Sequence, residues 1–127
     1  MSVVLLDTNF LIRIFQSGSQ SEAAFGNWLA QSVRFEVSMM AWAEFLCGPV
    51  TKAEVALWEK AISAWHPTSK PQAVLAAELF NQTKRRTRSL PDCLIAARAI
   101  EAGLPLATEN TKDFLPFVSL GLQLAKL

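Results

Sequence analysis

The hydrophobic positions of this chain change period repeatedly, from short unbroken runs to helical spacing and back. Val3-Val4-Leu5-Leu6, closed by Asp7, is a continuous apolar run opened by β-branched residues. It predicts a strand buried on both faces. Phe10, Leu11, Ile14 and Phe15 then follow helical spacing towards Ser17-Gly18, and a second helix is predicted from Ser21 to Gln31. Phe35-Glu36-Val37-Ser38 reads as another strand, with Ser38 placed to cap a helix from Met39 to Cys47 that Gly48-Pro49 stops. Thr51 opens an amphipathic helix carrying Val55, Leu57, Trp58 and Ile62, and Trp65-His66-Pro67 predicts a short edge strand. Helical pattern returns from Pro71, a favoured first-turn residue, through Lys84, and again from Ser89 to Ala102, closed by Gly103. Leu104 to Ala107 is strand-like, and a last short strand is expected within Gly121 to Ala125. Apolar strands separated by helices predict an α/β fold: three layers, α/β/α, around a short, mostly parallel central sheet. In such sheets ligands sit beyond the carboxyl ends of the strands.

Composition narrows the class without naming a chemistry. With 127 residues, 51% of them apolar and 18% charged, the chain has material for one core, so a single domain over 1–127 is expected and disorder is excluded. Apolar runs such as Met39 to Ala43 and Ala73 to Ala77 fall far short of the roughly 18 residues a membrane span needs. Met1 to Asn9 has neither the basic stretch nor the small-residue cleavage site of a secretory signal. Cys47 and Cys93 give no disulfide framework, so a cytoplasmic location is expected. Both lie in helical segments and are expected as buried thiols. The formal net charge of +1 is uninformative until the positions of the acids are considered.

Four acids stand where a site should be. Asp7 ends the first strand, where it either caps the following helix or faces a ligand. Glu44 interrupts the apolar stripe of Met40, Ala41 and Cys47, and a carboxylate on a buried helix face is costly unless something pairs with it. Asp92 closes Ser89-Leu90-Pro91-Asp92, a capping-box pattern, and heads the apolar stripe of Ile95, Ala96 and Ala99. Asp113 follows the strand-like Leu104 to Ala107, with Asn110 placed to cap a turn in front of it. Each position has a bland explanation, but convergence of all four on one pocket accounts for them together. Gathering them leaves the rest of the surface mildly basic, which suits an enzyme acting on phosphates.

Asp7-Thr8-Asn9 after an apolar strand resembles the opening of PIN-domain nucleases, most closely the VapC-type toxins of toxin–antitoxin pairs. Ala43-Glu44-Phe45 is similar to that family's second acid. Pro91-Asp92-Cys93-Leu94-Ile95-Ala96-Ala97 is similar to its third motif, and Thr108-Glu109-Asn110-Thr111-Lys112-Asp113-Phe114 to its fourth. The four occur in order across nearly the whole chain, with Thr87-Arg88-Ser89-Leu90-Pro91 where many members have a glycine. The resemblance implies a PIN-like fold and a ribonuclease of the toxin kind, with a homodimer and a small antitoxin as partners. A PIN nuclease that processes RNA without an antitoxin, and a non-catalytic PIN module that binds protein, are the alternatives. A haloacid-dehalogenase-like phosphatase is set aside, because it needs a second Asp where this chain has Asn9.

Asp7, Glu44, Asp92 and Asp113 are therefore the candidate catalytic and metal-binding residues. Oxygen ligands of this kind suit Mg²⁺ or Mn²⁺. Zinc is disfavoured, since His66 is the only histidine and no C-x-x-C pair exists. Without a cation, two carboxylates 4–5 Å apart repel by roughly 3–4 kcal/mol at an effective dielectric near 20. Thr8 and Asn9 are candidates to orient the first carboxylate or touch phosphate, and Thr108 and Asn110 to do the same on the other side. Lys84, Arg85, Arg86 and Arg88 form a basic run that either complements a helix end or grips RNA phosphates. Trp28, Trp42, Trp58 and Trp65 read as core or interface residues, Trp42 being the one placed to stack on a base. His66 reads as structural.

Overall fold

The computed structural model describes residues 1–83 and 90–127. The basic run of Lys84, Arg85, Arg86 and Arg88, and Ser89 of the expected capping box, lie outside the described residues. Strands β1 (Val3–Leu6), β2 (Arg34–Ser38), β3 (Ile62–His66) and β4 (Leu106–Ala107) form one sheet in the order β3-β2-β1-β4. Every pairing is parallel. The helices are α1 (Thr8–Arg13), α2 (Gln20–Ala30), α3 (Met39–Cys47), α4 (Lys52–Ala61), α5 (Lys70–Thr83), α6 (Leu90–Ala102) and α7 (Thr111–Phe114), followed by a 3-10 turn over Leu115–Leu120. The expected α/β architecture stands, and its sheet is wholly rather than mostly parallel.

Alternation along β2 separates the two helical layers. Phe35 packs against Phe25 of α2 and Trp58 of α4, with ring centroids at 5.3 and 6.2 Å, while Phe10 of α1 stacks on Trp28 at 5.6 Å. Glu36, pointing the other way, meets Arg98 of α6, and α5 lies along α6. Val4, Leu5, Leu6 and Val37 are fully buried between the layers, as parallel strands covered on both faces require. The buried indole of Trp58 donates to the carbonyl of Leu11 at 2.9 Å and so ties α4 to α1.

Local capping explains where several helices begin. Ser38 accepts from the N–H of Ala41, and Ser19 from that of Glu22. Thr51 and Glu54 form a reciprocal capping box at the start of α4. Three expectations are corrected. Ile62 opens β3 instead of ending the preceding helix, because its backbone turns extended to pair with Phe35. The strand expected within Gly121 to Ala125 reduces to a single parallel bridge between Leu106 and Leu124, since β4 itself offers only two residues for pairing. Cys47 is exposed at the end of α3, whereas Cys93 is buried as expected.

Candidate active site

Parallel pairing of β1 with both β2 and β4 delivers Asp7 to the carboxyl edge of the sheet, where its N–H donates to the carbonyl of Ala107 at 3.0 Å. Its side chain is sunk into the molecule, with the residue only 4% exposed. Although Asp7 occupies the N-cap position of α1, its carboxylate makes no capping hydrogen bond. The Thr108 hydroxyl instead donates to Asp7 Oδ2 at 2.7 Å. Burial pushes the Asp7 carboxyl from its ordinary 3.8 up to about 6, and the nearby charge of Glu44 adds to the rise. The Thr108 hydroxyl and the backbone N–H groups of Thr8 and Asn9 favour the charged form and limit it.

Glu44 is half-buried on α3 rather than enclosed. Its Oε1 accepts from the Thr8 hydroxyl at 2.8 Å, a hydroxyl that also lies 3.4 Å from the carbonyl of Ala41. The Thr8 side chain thus orients the second acid, while its backbone N–H acts on the first. Among the described residues, neither Asp7 nor Glu44 has a cationic partner, so two neighbouring carboxylates are held by neutral hydroxyls. The Asn9 side-chain oxygen accepts the N–H of Glu109 at 2.9 Å. Asn110 stands at the N-cap of α7 without capping it. Its side-chain amide donates to Asp113 Oδ2 at 2.6 Å, and its backbone N–H donates to the Thr108 hydroxyl at 2.9 Å. Asp92 is half-buried in the first turn of α6, which packs against α3.

Among the described residues, no three His, Cys, Asp or Glu side chains are drawn close enough together to hold a metal ion. The residues nevertheless fit a hard divalent cation in kind. The donors at the sheet edge are carboxylate oxygens, and Asp7 is a buried acid for which an added positive charge would offset both burial and the repulsion of Glu44. His66 is engaged by Glu36, its Nε2 lying 2.7 Å from Glu36 Oε1. Trp42 is half-buried and packs on Phe45 and edge-on to Trp65, with centroids at 5.4 and 5.8 Å, which places it with the core rather than with a base.

Two contributors escaped the sequence reading. Glu109, lying between two candidate residues, sends its carboxylate to Ser21 at the start of α2. Glu36, inside an apolar strand, anchors His66 and lies 3.8 Å from Arg98. The signal for Glu36 was present, since a carboxylate inside a strand covered on both faces demands a partner. No local signal exists for Glu109, whose partner is 88 residues away.

Residues 4–115 match the family model of the PIN domain. No curated protein matches the chain. Among solved structures, a chain of the toxin-antitoxin complex from Klebsiella pneumoniae is 29% identical, with 87% of this chain and 89% of that one covered and a TM-score of 0.69. A chain of VapBC2 from Rickettsia felis, bound to a DNA fragment from its promoter, is 21% identical over 98% of both chains, with a TM-score of 0.77. One from VapBC-5 of Mycobacterium tuberculosis is 22% identical over 100% of both, with a TM-score of 0.63.

Proposed function

The chain belongs to the PIN domain family, and from that premise we propose that it is a metal-dependent ribonuclease, the toxin of a type II toxin–antitoxin pair. The observation that carries the reading is Asp7, a buried carboxylate at the mouth of a parallel sheet, next to a second acid and without a cationic partner among the described residues. Folding a charge into such a place is expensive, and a divalent ion is the partner that removes the expense. Asp7, Glu44, Asp92 and Asp113 would hold Mg²⁺ or Mn²⁺. When bound, the ion lowers the pKa of a coordinated water and polarises the phosphoryl oxygens for in-line displacement.

The chain's own residues supply orientation. The Thr108 hydroxyl donates to Asp7, the Thr8 hydroxyl to Glu44, and the Asn110 amide to Asp113, so each of these acids is oriented by a neutral donor. The substrate is RNA, the partners are a small antitoxin and a second copy of the chain, and the location is the cytoplasm. The toxin-antitoxin complexes among the similar structures support this reading.

The test compares RNA cleavage by wild type and Asp7→Asn, each with Mg²⁺ and with EDTA. Wild type with Mg²⁺ is expected to cleave. Asp7→Asn is expected to fall by more than about 100-fold, beyond the 10–100-fold typical of residues that only support a ligand. Equal activity in all four conditions defeats the mechanism.

A further inference from the structure

We propose that Glu109 is a positioning residue of this site: it ties the loop after β4 to the N-terminus of α2, and so holds the Thr108 hydroxyl on Asp7. The inference rests on the nuclease reading for its consequence, but its geometry stands independently. Glu109 Oε2 accepts both the Ser21 N–H, at 3.0 Å, and the Ser21 hydroxyl, at 2.6 Å. Ser21 is completely buried, and its N–H is one of the first-turn donors that no intrahelical carbonyl can satisfy. An ionised acceptor at the positive end of an eleven-residue helix is a favourable and directional partner. Hydrogen bonding from Ser21, foremost, lowers the Glu109 pKa, so the carboxylate is charged at neutral pH. Its other oxygen lies 3.9 Å from the guanidinium of Arg13, and its side chain is only 15% exposed.

The same residue is held from the opposite side, where its backbone N–H donates to Asn9 Oδ1 at 2.9 Å. Glu109 is thus fixed to α1 through its main chain and to α2 through its side chain. Immediately before it in the sequence, Thr108 donates to Asp7, and immediately after it the N–H of Asn110 donates to the Thr108 hydroxyl. That second bond commits the Thr108 oxygen as an acceptor and leaves its single proton for Asp7. A short connecting loop would ordinarily be the softest part of such an arrangement. Here two helices clamp its middle residue, so the hydroxyl that orients the buried carboxylate cannot drift.

The experiment uses Glu109→Ala, Glu109→Gln and, as a stability control, Ser19→Ala. Glu109→Gln keeps an oxygen for Ser21. Ser19→Ala removes the α2 cap and the hydroxyl's bond to the Arg13 carbonyl, while both Ser21 contacts to Glu109 keep their donors. Three quantities are read: Mn²⁺ affinity by calorimetry, RNA cleavage at saturating Mn²⁺, and hydrogen exchange of the Asn110 N–H in metal-free protein. Glu109→Ala is expected to weaken Mn²⁺ binding by about 10–100-fold, as loss of a group that orients a metal ligand does. It should also accelerate Asn110 exchange by about tenfold or more. Glu109→Gln should stay within about threefold of wild type in both, and Ser19→Ala should lower the melting temperature while leaving both unchanged. Unaltered Asn110 exchange in Glu109→Ala overturns the proposal whatever the activity, and so does a Gln variant as impaired as Ala. Wild-type protein that neither binds Mn²⁺ nor cleaves RNA defeats the nuclease reading instead, while Asn110 exchange still decides whether the clamp exists.

Discussion

Asp7 can be ionised in the folded protein only at a cost, and the cost has a pH window. Its carboxyl titrates near 3.8 when unfolded and near 6 when folded and metal-free. The folded state therefore holds the proton more tightly. Below pH ~4 both states are protonated and no penalty exists; as pH rises towards and past 6 the penalty grows to about 3 kcal/mol and then levels off. Asp7→Asn keeps an oxygen for the Thr108 hydroxyl but carries no charge. It is expected to raise the metal-free melting temperature by several degrees at pH 7–8 and by little at pH 4. Melting curves across that range check this, and a difference that does not change with pH refutes it. The position of Asp7 was legible because an apolar run closed by an acid marks a strand end, and strand ends in parallel sheets are where ligands sit. Its hydroxyl partner was only a candidate, because Thr108 lies 101 residues away and sequence spacing carries no distance information at that range.

At the level of elements, what could be read was what is local. The helix from Met39 to Cys47 was legible to the residue because both its cap, Ser38, and its stop, Gly48-Pro49, lie in the sequence beside it. The helix beginning after Thr51 was legible at its start for the same reason, and misread at its end. Ile62 continues the apolar stripe, yet pairing with Phe35 draws it into the sheet, a tertiary choice that local periodicity does not contain. The strand near the C-terminus failed likewise, since two residues of β4 fix how much pairing is available. The α4 cap matters beyond its own helix, because α4 carries Trp58, whose indole holds the Leu11 carbonyl of α1, the helix that begins at Thr8. Thr51→Ala removes the hydroxyl half of the capping box and should cost about 1 kcal/mol. Urea unfolding should show a lower midpoint with an unchanged slope. A changed slope would mean that α4 and the rest of the molecule no longer unfold together.

Across the whole molecule, near-neutral net charge hides an uneven arrangement. Asp7 and Glu44 concentrate negative charge at the sheet edge, while Lys84, Arg85, Arg86 and Arg88 place four positive charges in five residues shortly before Asp92 in the sequence. A polyanion approaching an acidic site needs attraction from somewhere else, and this run is the densest positive segment of the chain. If it grips phosphates, each contact releases counterions, and the logarithm of the binding constant for single-stranded RNA falls with the logarithm of salt with a slope of about −0.7 per contact. Arg85→Ala combined with Arg86→Ala should therefore flatten that slope by about 1.4. On the proposed reading, Asp7→Asn supplies a background in which RNA is bound without being cut, so binding can be followed from low to moderate salt. Mg²⁺ stabilisation of the protein, read by its melting temperature, should be the same with and without the two arginines if, as proposed, carboxylates hold the ion. An unchanged salt slope retires a phosphate-gripping role for the run and leaves RNA attraction to other cations. A lost Mg²⁺ response would instead tie the run to the metal site itself, and the separation of roles between acids and bases would be wrong.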